Sequence, residues 1–186
     1  MTIGVLAIQG DYEAHGRVLE ELGATVIYVR KPEQLDTVDA LVIPGGESTT
    51  FLKFLEQRNF FSKLADFVKA KPALGTCAGA ILLAKEVEGP HQASLGALDI
   101  CVRRNAYGRQ LESSIRQAET KLGGGPMEMV FIRAPKIERV GKDVEVLASE
   151  DGDPVLVRQG KIMAATFHPE LSSDSRVHQA FLEMVK

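Results

Sequence analysis

The chain has 186 residues, enough for one domain with a substantial core. Hydrophobic residues make up 45% and charged residues 25%, with a formal net charge of −3 and no basic stripe, which argues against nucleic acid as a partner. No apolar segment reaches bilayer length, the opening residues lack the basic start of a signal peptide, and two cysteines make no disulfide framework. The expectation is a reduced, cytoplasmic protein without a membrane partner.

Residues 3–10, IGVLAIQG, form an apolar run rich in β-branched side chains that ends in glycine, the pattern of a buried parallel strand. Asp11 is placed to cap the following helix, whose Ala14, Val18, Leu19 and Leu22 recur at helical spacing before Gly23. TVIYV (25–29) and DALVIPGG (39–46) read as further strands, and Ser48 or Thr49 as the cap of a helix carrying Phe51, Leu52, Phe54 and Leu55. A second helical stretch near 61–70 precedes a short strand, PALGTC, and a helix, AGAILLAKE. This alternation predicts a parallel sheet with helices on both faces.

Beyond about Leu98 strands dominate: LDICVRR, EMVFIRA, VEVLASE, DPVLVRQG and KIMAATFH, closed by a helix from about 174 to 186. No internal repeat or linker interrupts the chain. The glycine-rich KLGGGP lacks the Gly-Lys-Ser/Thr ending of a phosphate loop. The expected architecture is one domain over residues 1–186, a three-layer α/β/α sandwich with a mixed central sheet.

Chemistry first shows in GTCAG (75–79), where one of the two cysteines sits between glycines at a strand-to-helix junction. G-x-C-x-G has the form of an elbow in which a nucleophile occupies a tight, strained turn. Gly75 and Gly79 remove the Cβ atoms that would collide there. The turn aims the sulfur at the C-terminal edge of the sheet, and a position at a helix N-terminus favours thiolate over thiol. The backbone N–H of Ala78 is left to face a developing oxyanion. Taken alone, the pattern equally suits a buried structural cysteine. Cys101, in the strand-like DICVRR, has no comparable surroundings.

A nucleophilic cysteine needs a base and a group to orient that base. Of the four histidines, His15 and His178 fall in helical patterns and His91 in a polar loop. His168 instead ends an apolar strand and precedes Pro169 and Glu170. Extended geometry before proline points residues two apart to one side, so Glu170 can hold one imidazole nitrogen of His168 and leave the other for sulfur. The third element, PGGESTT (44–50), ends another parallel strand; its glycine pair lets a peptide N–H turn toward substrate and complete an oxyanion hole with Ala78.

Together these pieces resemble the class I (triad) glutamine amidotransferases, and among them the glutaminase subunits of pyridoxal 5′-phosphate synthases. The similar segments are IGVLAIQG, PGGESTT, GTCAGAILLAK, LGALDI, RNAYGRQ, FIRAP and HPELSSDSRVHQAF, spread from end to end. The resemblance implies a flavodoxin-like sandwich. It implies Cys77 as nucleophile, His168 as general base and acid, and Glu170 as orienting carboxylate. By the same resemblance Gly46, Glu47 and Ser48 bind glutamine, with Gly46 also serving the oxyanion, and Arg104, Ile132 and Arg133 supply the remaining glutamine contacts. An arginine fork suits the carboxylate of a free amino acid.

Two departures stand out. Many amidotransferases carry glutamine four residues after the cysteine, where this chain has Ile81, and Ser113-Ser114-Ile115 replaces the usual SFE.

The implied reaction is hydrolysis of L-glutamine to L-glutamate and ammonia through a thioester, without metal or other cofactor; the four histidines form no zinc motif. The implied partner is a separate TIM-barrel pyridoxal 5′-phosphate synthase subunit that consumes the ammonia. The nearest competing reading is the glutaminase of another ammonia-channelling synthase, such as imidazole glycerol phosphate synthase. A cysteine peptidase on the same elbow, or a silent binding subunit, are readings of different classes.

Overall fold

Apolar runs without alternation form the centre of the molecule because both of their faces are covered. The computed structural model describes residues 1–57, 59–106 and 113–186. Strands β1 (Thr2–Leu6), β2 (Thr25–Val29), β3 (Ala40–Ile43), β4 (Ala73–Thr76) and β12 (Ile162–Ala165) pair in parallel. Strands β11 (Asp153–Gln159) and β10 (Glu145–Glu150) extend the sheet antiparallel at one edge. The seven-stranded order is β10-β11-β12-β4-β3-β1-β2. From β1 the chain moves outward to β2, then returns to place β3 on the other side of β1. That reversal opens a crevice at the carboxyl ends of the strands, where α/β sheets hold their sites.

Period-two geometry divides the strand residues between two cores. On one side Leu41, Ile43 and Ala164 pack with Phe51 and Leu55 of helix α2 (Ser48–Gln57), Phe60 and Leu64 of α3 (Phe60–Ala70), and Leu82 of α4 (Ala78–Leu83). A small sheet of β5 (Ala84–Glu88), β6 (Leu98–Arg103) and β9 (Lys136–Val140) closes that core with Val87, Ile100 and Ile137. On the other side Ile3, Val5, Val42 and Met163 meet Leu19 of α1 (Tyr12–Glu21) and Val177 and Phe181 of α5 (Arg176–Val185). The hairpin of β7 (Ser114–Ala118) and β8 (Met127–Phe131) adds Met127 and Met129. The result is the expected three-layer α/β/α sandwich with a mixed sheet. Among the described residues no helix is long and apolar enough to cross a membrane.

Several local expectations change. The helix expected through AGAILLAKE stops at Leu83, and Ala84–Glu88 becomes β5, paired in parallel with β6. Tertiary pairing overrides the helical propensity of Ala, Lys and Glu there. Asp11 occupies the N-cap position of α1, but its side chain makes no capping bond; only its carbonyl accepts, from His15 N–H at 3.2 Å. Helix α2 is capped by neither Ser48 nor Thr49. Glu47 accepts from the backbone N–H groups of Thr49 at 3.0 Å and Thr50 at 2.7 Å, because Ser48 is already helical. Strands β7 and β9 read as polar, with side chains that are mostly exposed or half-buried, so periodicity did not mark them. Tyr107, Gly108, Arg109 and Gln110 of RNAYGRQ lie outside the described residues.

The elbow is packed without slack. A Cβ on Gly79 would drive into the backbone carbonyl of Ile43, and one on Gly75 would come within 2.6 Å of the Gly79 carbonyl carbon. Replacing Gly79 with alanine is expected to lower unfolding stability by about 2–4 kcal/mol in urea titrations. A loss below about 0.5 kcal/mol would show that α4 can shift away from β3.

Candidate active site

β4 ends at Thr76 and the backbone turns at Cys77 with φ 51° and ψ −108°, a left-handed conformation that costs a non-glycine residue energy. Neighbouring bonds hold it there. Cys77 N–H donates to Ala165 O at 2.9 Å, and Cys77 O accepts from Ala80 N–H at 3.1 Å. Cys77 is 8% exposed and lines the crevice. Ala78 is the first helical residue, so its N–H has no acceptor within the helix.

His168 follows β12 by three residues and is fixed from the hairpin side, its N–H donating to Val130 O at 2.8 Å. Its Nδ1 lies 2.7 Å from Glu170 Oε1, and its side chain also hydrogen-bonds Cys77. The pair meets differently from the extended geometry expected: Pro169–Leu171 is a single 3-10 turn, which folds Glu170 back beneath the ring. Burial lowers the imidazole's pKa, but hydrogen bonds to Cys77 and Glu170, with their Coulombic attraction, outweigh it and push it up to about 10. Asp11, at the mouth, brings its carboxyl group within 4.8 Å of a ring nitrogen of His168 and an oxygen of Glu170.

The loop after β3 supplies the opposite wall. A Cβ on Gly45 would sit 2.8 Å from His168 Cε1 and 3.2 Å from Cys77 Cβ, so glycine alone lets the loop lie against both side chains. Gly46 has φ +131° and is exposed to the crevice. The next peptide, Glu47–Ser48, is tied down by Gln9, whose amide donates to Glu47 O at 2.8 Å. Hydrogen bonds from the side chains and backbone of Thr49 and Thr50 hold the exposed Glu47 carboxyl down to about 2. Ser48 Oγ donates to Gln92 Oε1 at 3.3 Å.

The far wall comes from β6 and β8. Arg104 is half-buried, its guanidinium 3.4 Å from Pro90 O, and it borders the crevice beside Asn105. Ile132 turns its carbonyl to within 4.0 Å of Cys77 Sγ. Arg133 is exposed with φ 45°, a strained backbone that redirects the chain at the rim.

These residues surround a cleft of about 430 Å³, within the range of small-molecule sites. Cys77, Ala78, His168, Gly46, Glu47, Ser48, Arg104, Ile132 and Arg133 all line it, while Glu170 stands behind His168. Gly45 of the expected glycine pair lines it too, and so do Gly10, Asp11 and Asn105, to which sequence reasoning gave no role in the site. The glycine that ends IGVLAIQG was a signal for Gly10, and the signal for Asn105 was its place beside Arg104 in RNAYGRQ. Ile81, noted as a departure, places its apolar side chain in the cleft wall.

A model of the SNO glutamine amidotransferase family matches residues 5–186. The chain is 66% identical over 186 residues to the pyridoxal 5′-phosphate synthase subunit PdxT of Koribacter versatilis (strain Ellin345), covering 100% of this chain and 96% of that protein. It is 52% identical over 188 residues to the protein of the same description from Thermotoga petrophila, with complete coverage of both. It superposes on the crystal structure of a glutamine amidotransferase with a TM-score of 0.91 at 47% identity, over 98% of each chain. An elbow cysteine, a histidine–carboxylate pair and a glycine loop around one cleft thus occur in a chain matched almost from end to end, and the chain belongs to the SNO glutamine amidotransferase family.

Proposed function

We propose that this chain is the glutaminase subunit of a pyridoxal 5′-phosphate synthase, hydrolysing L-glutamine to L-glutamate and ammonia. The observation that carries the proposal is the cleft in which Cys77, on a strained elbow, faces an imidazole bound at 2.7 Å to a buried carboxylate. In a family of glutamine amidotransferases that arrangement suits thioester chemistry.

In this reading the Cys77 sulfur, as thiolate, attacks the side-chain amide carbon of glutamine, and the carbonyl electrons move to oxygen. The Ala78 N–H and a backbone N–H of the Gly45–Gly46 turn stabilise that oxyanion. His168, raised toward about 10, is an imidazolium at neutral pH and gives its proton to the departing nitrogen. Ammonia leaves and a γ-glutamyl thioester remains. The neutral imidazole then takes a proton from water as its oxygen attacks, the C–S bond breaks, and glutamate departs with thiolate and imidazolium restored. Glu170 orients the ring throughout.

Arg104 and Arg133 are the cations at the rim suited to the substrate's α-carboxylate, and Glu47 and Ser48 line the opposite wall toward its α-amino end. Ile132 acts through its backbone, the carbonyl 4.0 Å from Sγ limiting where the amide can lie. No step calls for a metal. The ammonia passes to a separate TIM-barrel synthase subunit in the cytoplasm, and the curated relatives' description as synthase subunits supports such a partner. Residues 1–186 act as one amidotransferase domain, weakly active alone, with the Gly45–Gly46 peptide as the element that the partner reorders.

The experiment is glutamate release from glutamine with and without the synthase barrel. The expected result is activity that rises on adding the barrel and falls more than about 10³-fold in Cys77→Ala. Equal rates with and without the barrel would sink the partner dependence, and no glutamate from the wild type would sink the glutaminase reading.

His168 also predicts a pH dependence of stability. Its folded pKa of about 10 lies above the ordinary 6.5, so its stabilising contribution is full below 6.5, falls as pH rises and is gone above about 10. Urea unfolding of wild type and His168→Gln is expected to converge across that window. A constant difference between pH 6 and 10 would show that the imidazole is not held protonated.

A further inference from the structure

Behind Glu170, on the side away from the cleft, lies a buried polar cluster that the reaction above does not use. It joins His15 of α1, His178 of α5 and Thr76 at the end of β4, all 0% exposed. His15 Nε2 is 3.3 Å from Glu170 Oε2 and 3.2 Å from Thr76 Oγ1, and His15 Nδ1 is 2.9 Å from His178 Nε2. Two histidines facing each other in a core are costly unless their hydrogen bonds interlock.

The pattern of partners sets the tautomers. Burial, and secondarily the neighbouring His178 and His168, lower the His15 pKa well below its ordinary value, and burial lowers His178 to about 4. Both rings are therefore neutral at pH 7, with one N–H each. His178 Nδ1 is buried without a partner, and a bare acceptor nitrogen tolerates this better than an N–H. Its proton then sits on Nε2 and donates to His15 Nδ1, which leaves the His15 proton on Nε2, facing Glu170 Oε2 and Thr76. Glu170 Oε2 is fully buried and has no aligned hydrogen bond, and His15 Nε2 approaches it at 3.3 Å.

We infer that His15, backed by His178, is a positioning residue: its Nε2–H, hydrogen-bonded to Thr76 Oγ1, sets the polar edge of the ring 3.3 Å from the outer oxygen of Glu170, and that electrostatic contact keeps the carboxylate turned so that the inner oxygen stays on His168 Nδ1. A carboxylate gripped at one oxygen alone can rotate, and rotation would release the imidazole from the sulfur. The same His15 N–H touches Thr76, the residue before Cys77, so one side chain braces both arms of the site. The inference rests on the glutaminase reading.

Two variants separate this role from mere packing. The amide of His15→Gln reaches the place of Nε2, whereas that of His15→Asn reaches only the place of Nδ1. In the complex with the synthase barrel, His15→Asn is expected to lower kcat about tenfold to a hundredfold with KM for glutamine changed less than about twofold. His15→Gln should stay within about threefold of wild type. Rates are normalised to sites labelled by a glutamine-analogue alkylating agent. Equal losses in the two variants, or a loss expressed in KM, would overturn the inference. An inactive wild type would overturn the glutaminase reading instead.

A second measurement needs no variant. Two-bond ¹⁵N–¹H correlation spectra of histidine-labelled wild type should show His15 and His178 both as Nε2–H tautomers between pH 6 and 8. A His15 ring protonated at Nδ1 would turn a bare nitrogen lone pair, not an N–H, toward the outer oxygen of Glu170 and would overturn the inference by itself.

Discussion

The candidate site depends on one parallel pairing, that of β4 with β12. Ala164 lies opposite Gly75 and Ala165 opposite Thr76, and the pairing continues one step further as Cys77 N–H bonds Ala165 O at 2.9 Å. Two strands that end side by side release their chains at the same edge, so the elbow after one and the histidine after the other have no distance left to cross. The residues concerned are almost all small, Gly75, Thr76, Ala164 and Ala165, and all are buried. Small side chains let helix α4 settle against the strand end, and that contact holds Cys77 in a backbone conformation it would not adopt alone.

Electrostatics at this edge follow from burial. The two nearest strand ends present backbone dipoles and one carboxylate in a region with little water, where a hydrogen bond to a charged group weighs most. His168 gains a proton there against its own desolvation, while His15 and His178, equally buried and facing each other, lose theirs. Three imidazoles in one core thus separate into one charged ring and two neutral ones. What separates them is that His168 meets both the Cys77 sulfur and an aligned carboxylate, whereas His15 and His178 have burial without that compensation.

Much of this was legible in the chain itself. The glycine-flanked cysteine, the His-Pro-Glu after an apolar strand and the glycine pair after β3 are local patterns, each with its own stereochemical reason, and all three come to one cleft. The apolar runs of β1, β3, β4 and β12 announced strands covered on both faces. Other features left no local trace. β5 looks helical by composition, and β7 and β9 look like polar loop, because their partners lie elsewhere in the chain. The 3-10 turn at Pro169 was hidden by a proline rule that favours extended chain, although the His168–Glu170 contact was expected.

By itself the sequence determined which residue types carry chemistry and which turns can hold them, since elbow, glycine loop and periodicity are set by neighbours a few residues apart. Only the tertiary structure decided what faces what. His15 and His178 read as ordinary helical positions, 163 residues apart, and become a buried pair behind Glu170 because α1 and α5 cover the same face of the sheet. Contacts of that kind depend on strand order and helix side, which are global properties of the packed sheet, and no window along the chain contains them.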